Sequence, residues 1–77
     1  MPMPQMQTVQ SSMIWQLGYD AEGKALYVRF TPSKKHPAGR LAVMPGVMPQ
    51  DADDLINAPS IGQAWHLSFK SRPLTYL

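Results

Sequence analysis

Hydrophobic and polar positions alternate through the first half of this chain and recur at three- and four-residue steps in its last third. Residues 1–8 fit neither pattern. Met, Pro and Gln intermingle there, and Pro2 and Pro4 have no backbone donor, so the segment reads as a flexible N-terminal tail. Alternation begins after Val9. Met13, Trp15, Leu17 and Tyr19 fall on one face of a strand, with Ile14, Gln16 and Gly18 on the other. Asp20-Ala21-Glu22-Gly23 carries turn chemistry, an Asp able to bond its own backbone and a Gly free to take positive φ. Residues 24–31 alternate again, with Leu26, Val28 and Phe30 on one face and Ala25, Tyr27 and Arg29 on the other. Two such runs around a short turn predict a hairpin. Residues 32–39 are a second connection rich in Pro, Lys and Gly, and residues 40–44 a third strand, stopped by Pro45-Gly46.

The period then changes. Pro49 suits the first position of a helix, and Asp51, Asp53 and Asp54 lie in or near its first turn, where the helix dipole favours negative charge. Ala52, Leu55 and Ile56 make an i, i+3, i+4 stripe that Asn57-Ala58-Pro59 ends. Ser60-Ile61-Gly62-Gln63 has the form of a capping box, and Ile61, Ala64, Trp65, Ser68 and Phe69 follow one helical face behind it. Lys70 and Arg72 close the segment, and Pro73 lies beyond. Neither helix can bury its stripe alone. The pattern therefore predicts an α+β fold over residues 9–77: a three-stranded antiparallel meander followed by two short helices packed on one face. Tyr76 and Leu77 are available for a final extended contact. Trp15, Trp65 and Met13 are expected in the core.

Composition constrains how such a fold holds together. With 77 residues the chain is one small domain, which buries only about 60% of its unfolded surface. It has no cysteine, so no disulfide or thiolate zinc site can staple it. Hydrophobic residues are 44% and charged residues 16%, against intrinsic disorder. Nineteen uncharged residues precede Asp20, but Pro and Gln interrupt them too often for a membrane span or secretory signal. The expectation is an unprocessed cytoplasmic protein with no membrane partner.

Short motifs in the same order resemble the KTSC domain family, named for a C-terminal extension of some lysyl-tRNA synthetases and found free-standing in bacteria and phages. Val9-Gln10-Ser11-Ser12 followed by Ile14 is similar to the family's opening V-x-S-S-x-I, Gly18-Tyr19-Asp20 to its G-Y-D, and Leu26, Val28 and Phe30 to its L-x-V-x-F. Residues 55–62 resemble its L-x-x-A-x-S-x-G segment, and Trp65 falls near its Y-F pair. Two departures stand out. The family's Y-x-Y pair on the third strand is missing from residues 40–49, so no role resting on those tyrosines carries over. The connection over residues 31–39 is also longer than the family pattern. The resemblance implies a small α+β module without an established catalytic activity, and by association a link to nucleic acid.

Chemistry-bearing residues are sparse. His36 lies in a polar loop and His66 on the second helix, thirty residues apart, and no nucleophile or phosphate-loop motif accompanies them. Asp51, Asp53 and Asp54 lack the spacing of a calcium loop, and the helix dipole accounts for them. The expectation is a non-enzyme with no metal and no cofactor. Charge placement is more informative. The net charge is only +2, yet Lys24, Arg29, Lys34, Lys35 and Arg40 are uninterrupted by any acid. Arg29, Lys34, Lys35 and Arg40, with Tyr27 as a stacking residue, are the candidate contacts to nucleic acid, RNA or DNA. The plain alternative is a solvated loop that keeps a low-charge protein soluble. The rival functional reading is a phage-type accessory protein that binds and modulates a host protein through Met44, Val47, Met48, Asp51 and Asp54. A virion component and a homodimer remain open.

Overall fold

Five antiparallel strands carry two helices on one side in the computed structural model, which describes residues 4–77. The strands are β1 (Gln7–Thr8), β2 (Ile14–Asp20), β3 (Ala25–Phe30), β4 (Leu41–Met44) and β5 (Thr75–Tyr76), in sheet order β1-β2-β3-β4-β5. The helices, α1 (Pro49–Ile56) and α2 (Ile61–Ser68), lie between β4 and β5 in the chain. The predicted α+β meander is therefore present, but with five strands rather than three. The additional two are edge strands of two residues each, too short to show a period. β1 falls inside the segment expected to be a tail: Gln7 pairs with Leu17 and Thr8 with Gln16. Residues 4–6 form no helix or strand, and the part of that expectation that falls on residues 1–3 lies outside the described residues. β5 supplies the C-terminal contact, with Ala42 opposite Tyr76 and Val43 opposite Thr75.

The first long strand corrects the expected faces. Register shifts between Ile14 and Gln16, a bulge that inserts one residue against β3. The extra residue turns Ile14 to the same side as Leu17, three positions on, and both are fully buried. Trp15 is turned out of the core and is half-buried, and Met13 packs only against the core's margin. Leu26, Val28, Met44 and Val47 complete the inner face of the sheet, and Ala52, Leu55, Ile61, Trp65 and Phe69 cover it from the helices. No buried side-chain polar atom lacks a partner among the described residues.

Local chemistry fixes the connections. Lys24, rather than Gly23, takes the positive φ (51°) of the β2–β3 turn. Gly23 leaves room instead for the Asp20 side chain, whose carboxylate oxygen lies 2.7 Å from where a Cβ would stand and could swing aside for one. The Lys24 carbonyl accepts from Val47 N at 2.8 Å, and the Tyr19 hydroxyl donates to the Val47 carbonyl at 2.5 Å. Pro49 opens α1 as expected, and the Ser60 hydroxyl caps α2 by accepting from Gln63 N at 3.4 Å. Arg72 then returns to α1 through Asp51, 3.3 Å away. Among the described residues no helix is long and apolar enough to cross a membrane.

Candidate nucleic-acid interface

The sheet has one face under helices and one without them. Cross-strand register places Gly18, Tyr27, Val43 and Thr75 in one row of the helix-free face, and Gln16, Arg29 and Leu41 in the next. The bulge adds Trp15 to the second row. A Cβ on Gly39 would lie 3.0 Å from Arg29 Cγ and 3.2 Å from Trp15 Cε3, so the backbone of residue 39 fits against both side chains. Tyr27, Trp15, Leu41, Val43 and Arg29 are all half-buried, although no helix covers them. An arginine and two aromatic rings thus share a shallow apolar floor.

The connection over residues 31–39 borders this face and is internally bonded. Ser33 N and Gly39 N both donate to the His36 carbonyl, at 3.0 and 2.9 Å, while His36 N donates to Ser33 Oγ at 3.2 Å. Gly39 takes φ 83°, which directs the chain back into β4. Arg29 is tied to the loop by donating to the Ala38 carbonyl at 3.2 Å. Lys34 and Lys35 stand exposed at its tip. Arg40 does not join them on the helix-free side. Its guanidinium stacks 4.0 Å over the Tyr76 ring, and it donates to His36 Nε2 at 3.4 Å. The five candidates therefore split: Tyr27 and Arg29 on the helix-free face, Lys34 and Lys35 at the loop tip, and Arg40 round the edge. Lys24 lies at the other end of β3, about 20 Å away by strand rise.

Acidic groups collect at that other end. Asp20 and Glu22 flank the β2–β3 turn, and Asp51 and Asp53 begin α1 beside it. Loss of water around the Tyr19 hydroxyl raises its pKa above the ordinary 10.0, and the charges of Asp20, Asp51 and Asp53 add to the rise. The weak net charge thus conceals an acidic pole and a basic pole at opposite ends of the sheet.

The candidate protein-binding set does not form one surface. Met44 and Val47 are fully buried, because β4 alternates inward at Met44 and the chain folds back at Val47 onto Lys24. Met48 alone of the three is exposed, at 51%. Asp51 is paired with Arg72, and Asp54 accepts from Gln50 Nε2 at 2.9 Å. Among the described residues no three His or acidic groups gather as a metal site; His66 is exposed on α2. Periodicity missed Trp15, because nothing in the local sequence marks the bulge. Leu41 and Val43 were legible in the alternation of residues 41–44.

The motif residues do structural work. Ser11 Oγ accepts from Met13 N and Ile14 N at 3.2 and 3.3 Å, setting the chain into β2. A Cβ on Gly62 would meet that same Ser11 oxygen at 3.4 Å, so α2 packs closely over the start of the strand. Thr31, just past the end of β3, clasps the segment, its hydroxyl donating to Ser12 O at 3.2 Å. Residues far apart in sequence thereby meet at one junction between sheet and helix.

Comparison with known proteins agrees with this arrangement. A crystal structure of a KTSC domain protein from Yersinia pestis superimposes with a TM-score of 0.81 at 24% identity, covering 95% of this chain and 96% of that one. No curated protein matches the chain. The KTSC domain family model matches residues 10–72, and the chain belongs to that family.

Proposed function

We propose that this protein is a non-catalytic binding module that takes single-stranded nucleic acid across the helix-free face of its sheet. One observation carries the reading: Trp15 and Arg29 share that face at the end where Lys34 and Lys35 project, Tyr27 lies one row further along it, and the acidic groups stand at the far end. Bases stack on aromatic rings with about 1–3 kcal/mol each, whatever their identity. A duplex would hide its base faces from such a floor, whereas a splayed single strand presents them. Lys34 and Lys35 fit the role of phosphate contacts, with Arg29 beside them for either backbone or base.

Titration of a labelled oligonucleotide at several salt concentrations tests this. For single strands each phosphate contact contributes about −0.7 to the log–log slope, so three contacts give roughly −2. The double variant Lys34→Ala/Lys35→Ala is expected to flatten the slope to about −0.7. Absence of binding at low salt would refute the reading.

A further inference from the structure

The helix-free face is not wholly open. Gly18 lies in its first row, opposite Tyr27, yet is buried without a side chain of its own. Its cover comes from the chain just before β1. A Cβ on Gly18 would sit 2.6 Å from Met6 Sδ, 3.1 Å from the Gln5 carbonyl oxygen and 3.3 Å from Pro4 Cγ. Three successive residues thus cross the outer side of one glycine, next to the ring proposed to stack a base. Their hold is slight. β1 has two residues, both exposed, and a cleft of about 400 Å³ lies against Gln5, Met6 and Gln7. A thioether on an unbranched side chain also leaves such a contact readily.

We propose that residues 4–6 form a displaceable strap that competes with a single strand for the Gly18–Tyr27 end of the face. The proposal rests on the nucleic-acid reading above and adds that the protein lowers its own affinity. A strap open about a tenth of the time reduces apparent affinity about tenfold. Gly18 is the device that makes the strap possible, since any side chain there would occupy the space of Met6 Sδ. Its φ is not in the left-handed region, so a β-branched residue suits the strand while expelling the strap.

The test uses the full chain and two full-length variants, Gly18→Val and Met6→Ala, titrated with labelled oligothymidylate at low salt. Oxidation of Met6 by dilute peroxide, localised by tandem mass spectrometry, reports strap position in the wild type. The expected result is about tenfold tighter binding by Gly18→Val, a smaller gain for Met6→Ala, and faster Met6 oxidation once oligonucleotide is bound. Equal affinity in all three, with Met6 oxidation unchanged on binding, overturns the strap and leaves the nucleic-acid reading intact. No binding by any of the three overturns both.

Discussion

Tyr19 joins the turn, the core and the acidic pole through one hydroxyl. It donates to the Val47 carbonyl, while dehydration first, and Asp20, Asp51 and Asp53 second, disfavour its phenolate. A raised folded-state pKa means that this stability is intact below pH 10.0 and is lost as pH rises through the folded value. Tyr19→Phe is expected to lower the urea midpoint at pH 7 and to show a smaller further drop at pH 11 than the wild type shows. Tyr27 differs in kind, because its ring faces away from the core and no hydrogen bond ties its hydroxyl among the described residues. Tyr27→Ala is expected to weaken oligonucleotide binding by about 1–3 kcal/mol, with an unchanged circular dichroism spectrum. Much at this scale is not legible in sequence. Trp15 and Ile14 exchange faces because one residue is inserted against β3, and no local pattern announces the insertion. Met44 ends the third strand and Val47 follows Pro45-Gly46, yet both belong to the core: β4 alternates inward at Met44, and the Val47 amide bonds back across the turn to Lys24.

Elements were more readable than residues wherever they were long enough to have a period. β2, β3 and β4, the Pro49 start of α1 and the Ser60 cap of α2 all stand where alternation and capping chemistry place them. β1 and β5 could not be read, since two residues make no period and their pairing is decided by the strand beside them. The connections separate two uses of glycine. Gly39 (φ 83°) and Gly46 (φ 72°) both need the left-handed region, but only Gly39 is also crowded, with its missing Cβ 2.6 Å from the Phe30 carbonyl oxygen. Gly46→Ala should cost about 1 kcal/mol, the conformational penalty alone. Gly39→Ala should cost clearly more, and should disturb oligonucleotide binding as well, because the loop bearing Lys34 and Lys35 must shift. Paired urea titrations compare them.

On the scale of the whole molecule, one small core meets the entropy of folding without disulfides. An aromatic series helps: Tyr76, Phe30, Trp65 and Phe69 follow one another at 6.3, 5.9 and 5.7 Å between centroids, with Arg40 over the first ring and Arg72 over the last. It ties β3 and β5 to α2 and its C-cap. Stability of such domains is only about 5–15 kcal/mol, and truncating a buried leucine removes about 2–5. Leu17→Ala, at the centre of the inner face, should therefore leave a substantial unfolded fraction at 37 °C, seen as loss of near-ultraviolet dichroism. The strand order has a consequence in time as well as in space. Because β1 to β4 precede both helices in the chain, the meander can form while its inner face still lacks a cover. Until the helices dock, the sheet is greasy on one side, with four-residue β4 as its bare edge until β5 pairs with it. Short edges give a neighbouring chain little to pair with, so the same brevity that hid β1 and β5 from view guards the folded sheet at both of its edges.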